Sequence, residues 1–205
     1  MSTNPQFTTD LAPLPTHAFG HRAITWWGLV GFFLIEGTAF GVAIASYFYL
    51  MNLKQAWPPP PFLPPDLVAG TLFTVIMLLS EVPNTLAKKA AEKEQTEPLR
   101  KLLVVVSAIG LVLMILRAFE FSSLNVLWYQ NAYGSAIWLL LVLHTAHIAT
   151  DWVDTLVLTA LMHTSEGTKG RRFVDCAENA AYWRFVWLAW LPIYFMIYWL
   201  PRMVD

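Results

Sequence analysis

Residues 132–162 read AYGSAIWLLLVLHTAHIATDWVDTLVLTALM. As a helix the run is long enough to cross about 30 Å of hydrocarbon, which takes roughly 20 residues. Its apolar course is interrupted by His144, His147, Asp151 and Asp154 at spacings of three, four and three. Those spacings place all four side chains on one helical stripe, rising about 15 Å along the axis. A stripe this polar cannot face lipid, since each charge at the bilayer centre costs at least about 2.5–3.5 kcal/mol. The stretch predicts a membrane-spanning helix whose polar side faces other helices.

Four more runs of similar character follow outward from it, over residues 25–51, 66–86, 99–119 and 177–200. The fold class is therefore an all-α integral membrane protein, a bundle of five transmembrane helices. Hydrophobic residues make up 57% and charged residues 13% of the chain, which excludes both a water-soluble and a disordered fold. Residues 1–24 are polar, contain Asp10 and hold no short apolar core before a cleavage site, so they read as a retained tail. The five-helix domain occupies residues 25–205. A net charge of −1, with basic residues confined largely to loops, carries no nucleic-acid footprint. Cys176 is the single cysteine, which excludes an internal disulfide and a thiolate cluster.

The charges also set an orientation. Arg22, Lys88, Lys89, Lys93, Arg100, Lys101, Lys169, Arg171 and Arg172 fall on the side of the amino terminus, against Lys54, Arg117 and Arg202 on the other. Nine against three predicts a cytoplasmic amino terminus and an external carboxyl terminus. Residues 57–65 are mostly proline and predict a stiff external strap, after which Asp66 caps the second helix. Trp26, Trp27, Trp57, Trp128, Tyr129, Trp183, Tyr198 and Trp199 fall near span ends and read as an interfacial belt. Pro83 and Pro192 lie within spans and predict local kinks.

The polar residues inside the spans need partners. Counted from the cytoplasmic ends, Arg184 lies at the depth of Asp151 and Asp154, so an ion pair between Arg184 and one of them is expected. Glu36 sits mid-span with no charged residue on its own helix, and reads equally as a hydrogen-bonded neutral carboxyl holding helices together or as a proton-handling group. Gly37 and Gly41 beside it allow close helix approach, a weak signal. Glu81, and Arg117 with Glu120 at i, i+3, are read as interfacial. His144 and His147 raise the possibility of metal or haem ligation. A haem clamped between helices wants a histidine from each of two helices, and His17, His21 and His163 lie at or beyond the span edges. A copper or iron site of His144, His147 and Asp151 stays open, while structural hydrogen bonding is the favoured reading, with no metal ligand and no catalytic residue assigned.

The chain resembles subunit III of the haem-copper terminal oxidases, in its five-helix form. The resemblance rests on Phe33-Leu34-Ile35-Glu36 running to Tyr47-Phe48-Tyr49, and on Arg117-Ala118-Phe119-Glu120-Phe121. It rests further on Tyr133-Gly134-Ser135 with Leu143-His144-Thr145-Ala146-His147, and on the closing segment from Glu178 through Tyr182-Trp183-Arg184-Phe185-Val186 to Trp190. The order and spacing match over most of the membrane portion. Arg184 stands where that family usually has histidine, Trp187 where it has aspartate and Thr145 where it has glycine; Asp151 and Asp154 are additions. The first two helices of the seven-helix form are absent, so the lipid-holding cleft they make is absent or completed by another subunit.

The resemblance implies an accessory, non-redox subunit of a proton-pumping cytochrome c oxidase of aerobic respiration, in a bacterial plasma membrane. Haem and copper would sit in partner subunits I and II, and this chain would bind phospholipid and support proton uptake. Its polar residues would be Glu36, His144, His147, Asp151, Asp154, Glu178 and Arg184, with Glu81, Arg117 and Glu120 at the interface. Alternatives are subunit III of a quinol oxidase, a stand-alone membrane metalloenzyme using His144, His147 and Asp151, or a small transporter using Glu36 and the fourth-helix stripe.

Overall fold

The computed structural model describes residues 17–204. Residues 1–16 of the expected tail, Asp10 among them, and Asp205 lie outside the described residues. Five long helices carry the fold: α1 (Ile24–Asn52), α2 (Leu67–Glu92), α3 (Thr96–Ser122), α4 (Ala132–Met162) and α5 (Gly170–Tyr194). Past Tyr194, α5 continues through a π turn (Phe195–Trp199) and a 3₁₀ turn (Leu200–Arg202). Each of the five is long and apolar enough to cross a membrane. Helices are what such a chain must form, because hydrocarbon offers no partner to a backbone N–H or C=O.

Three helices extend beyond the apolar runs that announce them. The basic stretch Lys88 to Glu92 is the last turn of α2, α3 begins at Thr96, and α5 begins at Gly170, well before the apolar run from 177. Hydropathy marks where lipid ends; the backbone ladder continues into water on propensity and on pairs such as Lys88–Glu92 and Arg172–Asp175. The α2–α3 turn is a Schellman arrangement: Glu94 adopts φ 52°, its N–H bonds Ala91 O, and the Gln95 N–H bonds Ala90 O.

α2, α3, α4 and α5 close a four-helix ring, each packing on its neighbours, while α1 lies outside it against α4 and α5. α4 touches α1, α3 and α5, and α5 touches α1, α2 and α4. On its buried side α4 carries Tyr133, Ile137, Leu140, Leu141, His144, Ile148 and Asp151. Asn131 caps its start, accepting from the Gly134 N–H at 2.7 Å. Two glycines let rings pass between helices. Gly110 of α3 admits the Trp152 indole, which donates to Ser107 O at 2.9 Å, and Gly70 of α2 admits the Tyr198 ring.

Several local expectations differ from the fold. Trp57 is 2% exposed and packs edge-on against Tyr47 and Tyr133, with centroids at 5.4 and 5.1 Å, so the proline-rich connection is pinned into the bundle. Trp183 and Tyr198 are buried as well, whereas Trp27, Trp128, Tyr129 and Trp199 are exposed. Asp66 occupies the position before α2 without a side-chain cap bond. The prolines sit inside helices as expected: α2 continues through Pro83, and the π turn begins three residues beyond Pro192. At the end of the bundle that carries most of the lysines and arginines, Phe19 packs on the helices and His17 Nε2 lies 2.8 Å from Glu94 Oε1.

Candidate functional site

Among the described residues, the charged side chains inside the bundle are taken in four groups. The deepest joins α3, α4 and the end of α5. Arg117 and Glu120, 1% and 0% exposed, form an ion pair at 2.7 Å. The fold buries this pair within the bundle, because the extension of α5 past Tyr194 brings Tyr198 over it. Tyr198 donates its hydroxyl proton to Glu120 Oε1 at 2.6 Å. The guanidinium lies 3.7 Å from the Phe73 ring centroid and 4.4 Å from that of Trp190, between two π faces. Arg117 Nη2 is 2.9 Å from His144 Nδ1, and His144 Nε2 is 3.1 Å from Val186 O. Since a carbonyl can accept but not donate, Nε2 carries the proton, and Nδ1 accepts from Arg117. The Trp190 ring stacks on the imidazole at 4.7 Å.

The second group joins α1, α4 and α5. Glu36 has no cation on its own helix, but the fold brings His147 Nε2 to 3.5 Å from its Oε1, and Tyr182 donates to its Oε2 at 2.8 Å. His147 Nδ1 donates to Leu143 O at 2.6 Å, which leaves Nε2 as the ring nitrogen facing the Glu36 carboxyl. The Phe40 ring, 4.7 Å from His147 and 6.4 Å from His144, lies between this pair and the Arg117 group.

In the third group one amide serves two carboxylates. Asn179 Nδ2 donates to Asp151 Oδ1 at 2.8 Å and to Asp154 Oδ2 at 3.1 Å, while Asn179 Oδ1 accepts from Thr155 at 3.1 Å. Asp151 Oδ2 is buried and has no hydrogen-bond partner among the described residues. These side chains open onto a cleft of about 570 Å³ between α1, α4 and α5, which Glu36, Asp175, Glu178 and Tyr182 also line. Glu178 accepts from Thr25 at 2.5 Å, tying the start of α1 to α5.

The fourth group corrects the expectation for Arg184. Arg184 does not reach Asp151 or Asp154. Its Nε donates to Glu81 Oε1 at 2.6 Å and its Nη2 donates to Thr85 at 2.8 Å, making an ion pair between α5 and α2. Asn84 and Thr85 complete the bonds to the Glu81 carboxylate. Glu81 is thus held between α2 and α5. Asn179 and Arg184 are five residues apart, about 140° around α5, so a group facing α4 and one facing α2 cannot share a partner.

The trio His144, His147 and Asp151 is dispersed: one side chain points to α3 and α5, the second to α1, the third to Asn179. Among the described residues no three histidine, cysteine or acidic side chains come together as a metal site. The sequence assigns no site role to Asn179 or Tyr182, and it places Tyr198 in the interfacial belt. An amide or phenol within an apolar run is the signal they offer, and it is a weak one.

Known proteins align with the chain over nearly its whole length. The family model for cytochrome c oxidase subunit III matches residues 16–202. The chain is similar to cytochrome c oxidase subunit 3 of Thermostichus vulcanus, 23% identical over 91% of this chain and 92% of the relative. It is also similar to that of Synechocystis sp., 22% identical over 87% and 77%, and to a probable cytochrome c oxidase subunit 3 of Mycobacterium tuberculosis, 26% identical over 74% and 76%.

Proposed function

The chain belongs to the cytochrome c oxidase subunit III family, and from that premise we propose that it is an accessory subunit, holding no redox centre, of a bacterial proton-pumping cytochrome c oxidase. Haem and copper belong to subunits I and II in this reading, and this chain stabilises their assembly in the plasma membrane. The observation that carries the non-redox role is the occupancy of the histidines. His144 uses one ring nitrogen for Val186 O and the other for Arg117. His147 spends one on Leu143 O and turns the other to Glu36. A ligand to iron or copper needs a free lone pair on nitrogen; that of His144 Nδ1 accepts from Arg117, and that of His147 Nε2 faces the Glu36 carboxyl across 3.5 Å between α4 and α1.

The excess of basic residues at the end holding the α2–α3 and α4–α5 connections supports an orientation with that end, and the amino terminus, in the cytoplasm. The acidic cleft then opens in the cytoplasmic half, which supports a part in delivering protons toward the partner subunit. Its apolar lining, including Leu29, Phe32 and Val157, suits the acyl chain of a bound phospholipid. The test is isolation of the tagged chain from membranes in mild detergent. Co-isolation of a larger haem-bearing subunit with the absorption spectrum of a haem-copper oxidase is expected, and isolation of the chain alone contradicts the proposal.

A further inference from the structure

The Arg184–Glu81 pair lies where hydrocarbon is expected. Arg184 is six residues, about 9 Å, inside Glu178 along α5, and Glu81 seven residues, about 10 Å, inside Lys88 along α2. Glu81 is mostly covered, with 19% of its side chain exposed, but the Arg184 side chain is 43% exposed. The guanidinium does not run along the helix toward the headgroups. It is held sideways by Glu81 and Thr85, and among the described residues its Nη1 has no acceptor. Lipid tails offer none either.

The same α2–α5 seam is polar further along, where the exposed Thr71 hydroxyl meets Tyr194 OH at 2.8 Å. The outward face of α3 is its opposite: Val104, Leu111, Val112, Ile115 and Phe119 are exposed and wholly apolar, a surface suited to acyl chains. α1 and α2 both pack on α5 but not closely on each other, which leaves the outward face of α5 as a groove floor between them, with Ala181 and Arg184 part-covered and Leu188 and Leu191 exposed along it. α1 flanks it through the Phe33–Phe185 stack at 4.8 Å, and at the basic end Trp26 and Leu29 of α1 stand across Ala177 and Ala181 from Lys88 of α2.

We propose that this groove is the docking site for one transmembrane helix of a partner subunit, which brings a neutral hydrogen-bond acceptor to Arg184 Nη1. The acceptor is neutral because Glu81 already balances the charge of Arg184; a hydroxyl, a side-chain amide oxygen or a backbone carbonyl freed by a helix irregularity fits, and a second carboxylate does not. The proposal rests on the reading of the chain as an oxidase subunit.

Photo-crosslinking in the intact complex tests it. A benzophenone side chain replacing Leu188, on the groove floor, is expected to give an adduct with a single partner subunit, and one replacing Ile115, on the α3 face, none with protein. In parallel, Leu188→Trp is expected to reduce retention of this chain in the detergent-washed complex several-fold, while Ile115→Trp leaves it unchanged. Both residues are exposed, so neither change disturbs the bundle. A complex that carries its haem-bearing partner but gives only lipid adducts at position 188, or retains the Leu188→Trp chain fully, overturns the groove and leaves the subunit reading standing. A chain with no haem-bearing partner at all overturns both.

Discussion

Arg117→Met tests whether the polar core is structural. The substitution keeps an unbranched side chain between the Phe73 and Trp190 rings, but removes the 2.7 Å pair with Glu120 and the contact with His144 Nδ1. Glu120, fully buried, is left with the Tyr198 hydroxyl as its remaining side-chain partner. Breaking a buried pair from one side costs about 3–5 kcal/mol, a shift of roughly two to three and a half orders of magnitude in the folded ratio at about 1.4 kcal/mol per decade. The chain supplies its own probe, because Cys176 is the single cysteine and only 2% exposed. Its labelling by a thiol-reactive dye during denaturation in detergent reports unfolding. The double variant Arg117→Met, Glu120→Gln removes both charges while Tyr198 keeps an acceptor, and is expected to recover all but about 1–2 kcal/mol. A single variant within about 0.5 kcal/mol of the parent, or a double variant no better than the single, would refute the reasoning.

Four further outcomes follow from the other groups. Glu36→Gln retains an acceptor for Tyr182 and a donor for His147, so the complex should assemble normally; its complete loss would show that the negative charge itself is structural. Asn179→Leu strips Asp151 and Asp154 of their shared donor and should destabilise the chain by about 1–3 kcal/mol in the Cys176 assay; an unchanged midpoint counts against the bridge. Gly110→Leu forces a side chain into the space of the Trp152 ring and should cost about 1–3 kcal/mol, visible in the same assay, whereas a neutral effect would mean that α3 and α4 part without penalty. Cysteines replacing Lys93 and Met203 in a chain lacking Cys176 should react with an impermeant reagent from opposite membrane faces, and reaction of both from one face would remove a span.

The five helices were readable because lipid imposes length and hydropathy together, and both are properties of the chain. Their ends were less so: Lys88 to Glu92 and Arg171 to Cys176 are helical in spite of their charge, and hydropathy has no term for a helix standing in water. For polar residues, sequence position gives depth but not direction between helices. Arg184 matches Asp151 and Asp154 in depth, which predicts a pair, yet it points about 140° away from Asn179, toward α2. The i, i+3 spacing of Arg117 and Glu120 shows their pairing but not their burial, because nothing in the sequence shows that the end of α5 brings Tyr198 over them. Trp57 belonged by composition to a surface strap, and its place between Tyr47 and Tyr133 depends on three separate segments meeting.

The central claim, an oxidase subunit that fastens helices and carries no redox centre, is tested most directly by metal and haem analysis of the complex before and after this chain is stripped from it. The account predicts that the remaining complex keeps its full complement of haem and copper, and that the separated chain contains neither. Stoichiometric copper or iron on the separated chain, lost when His144 or His147 is substituted, would contradict it.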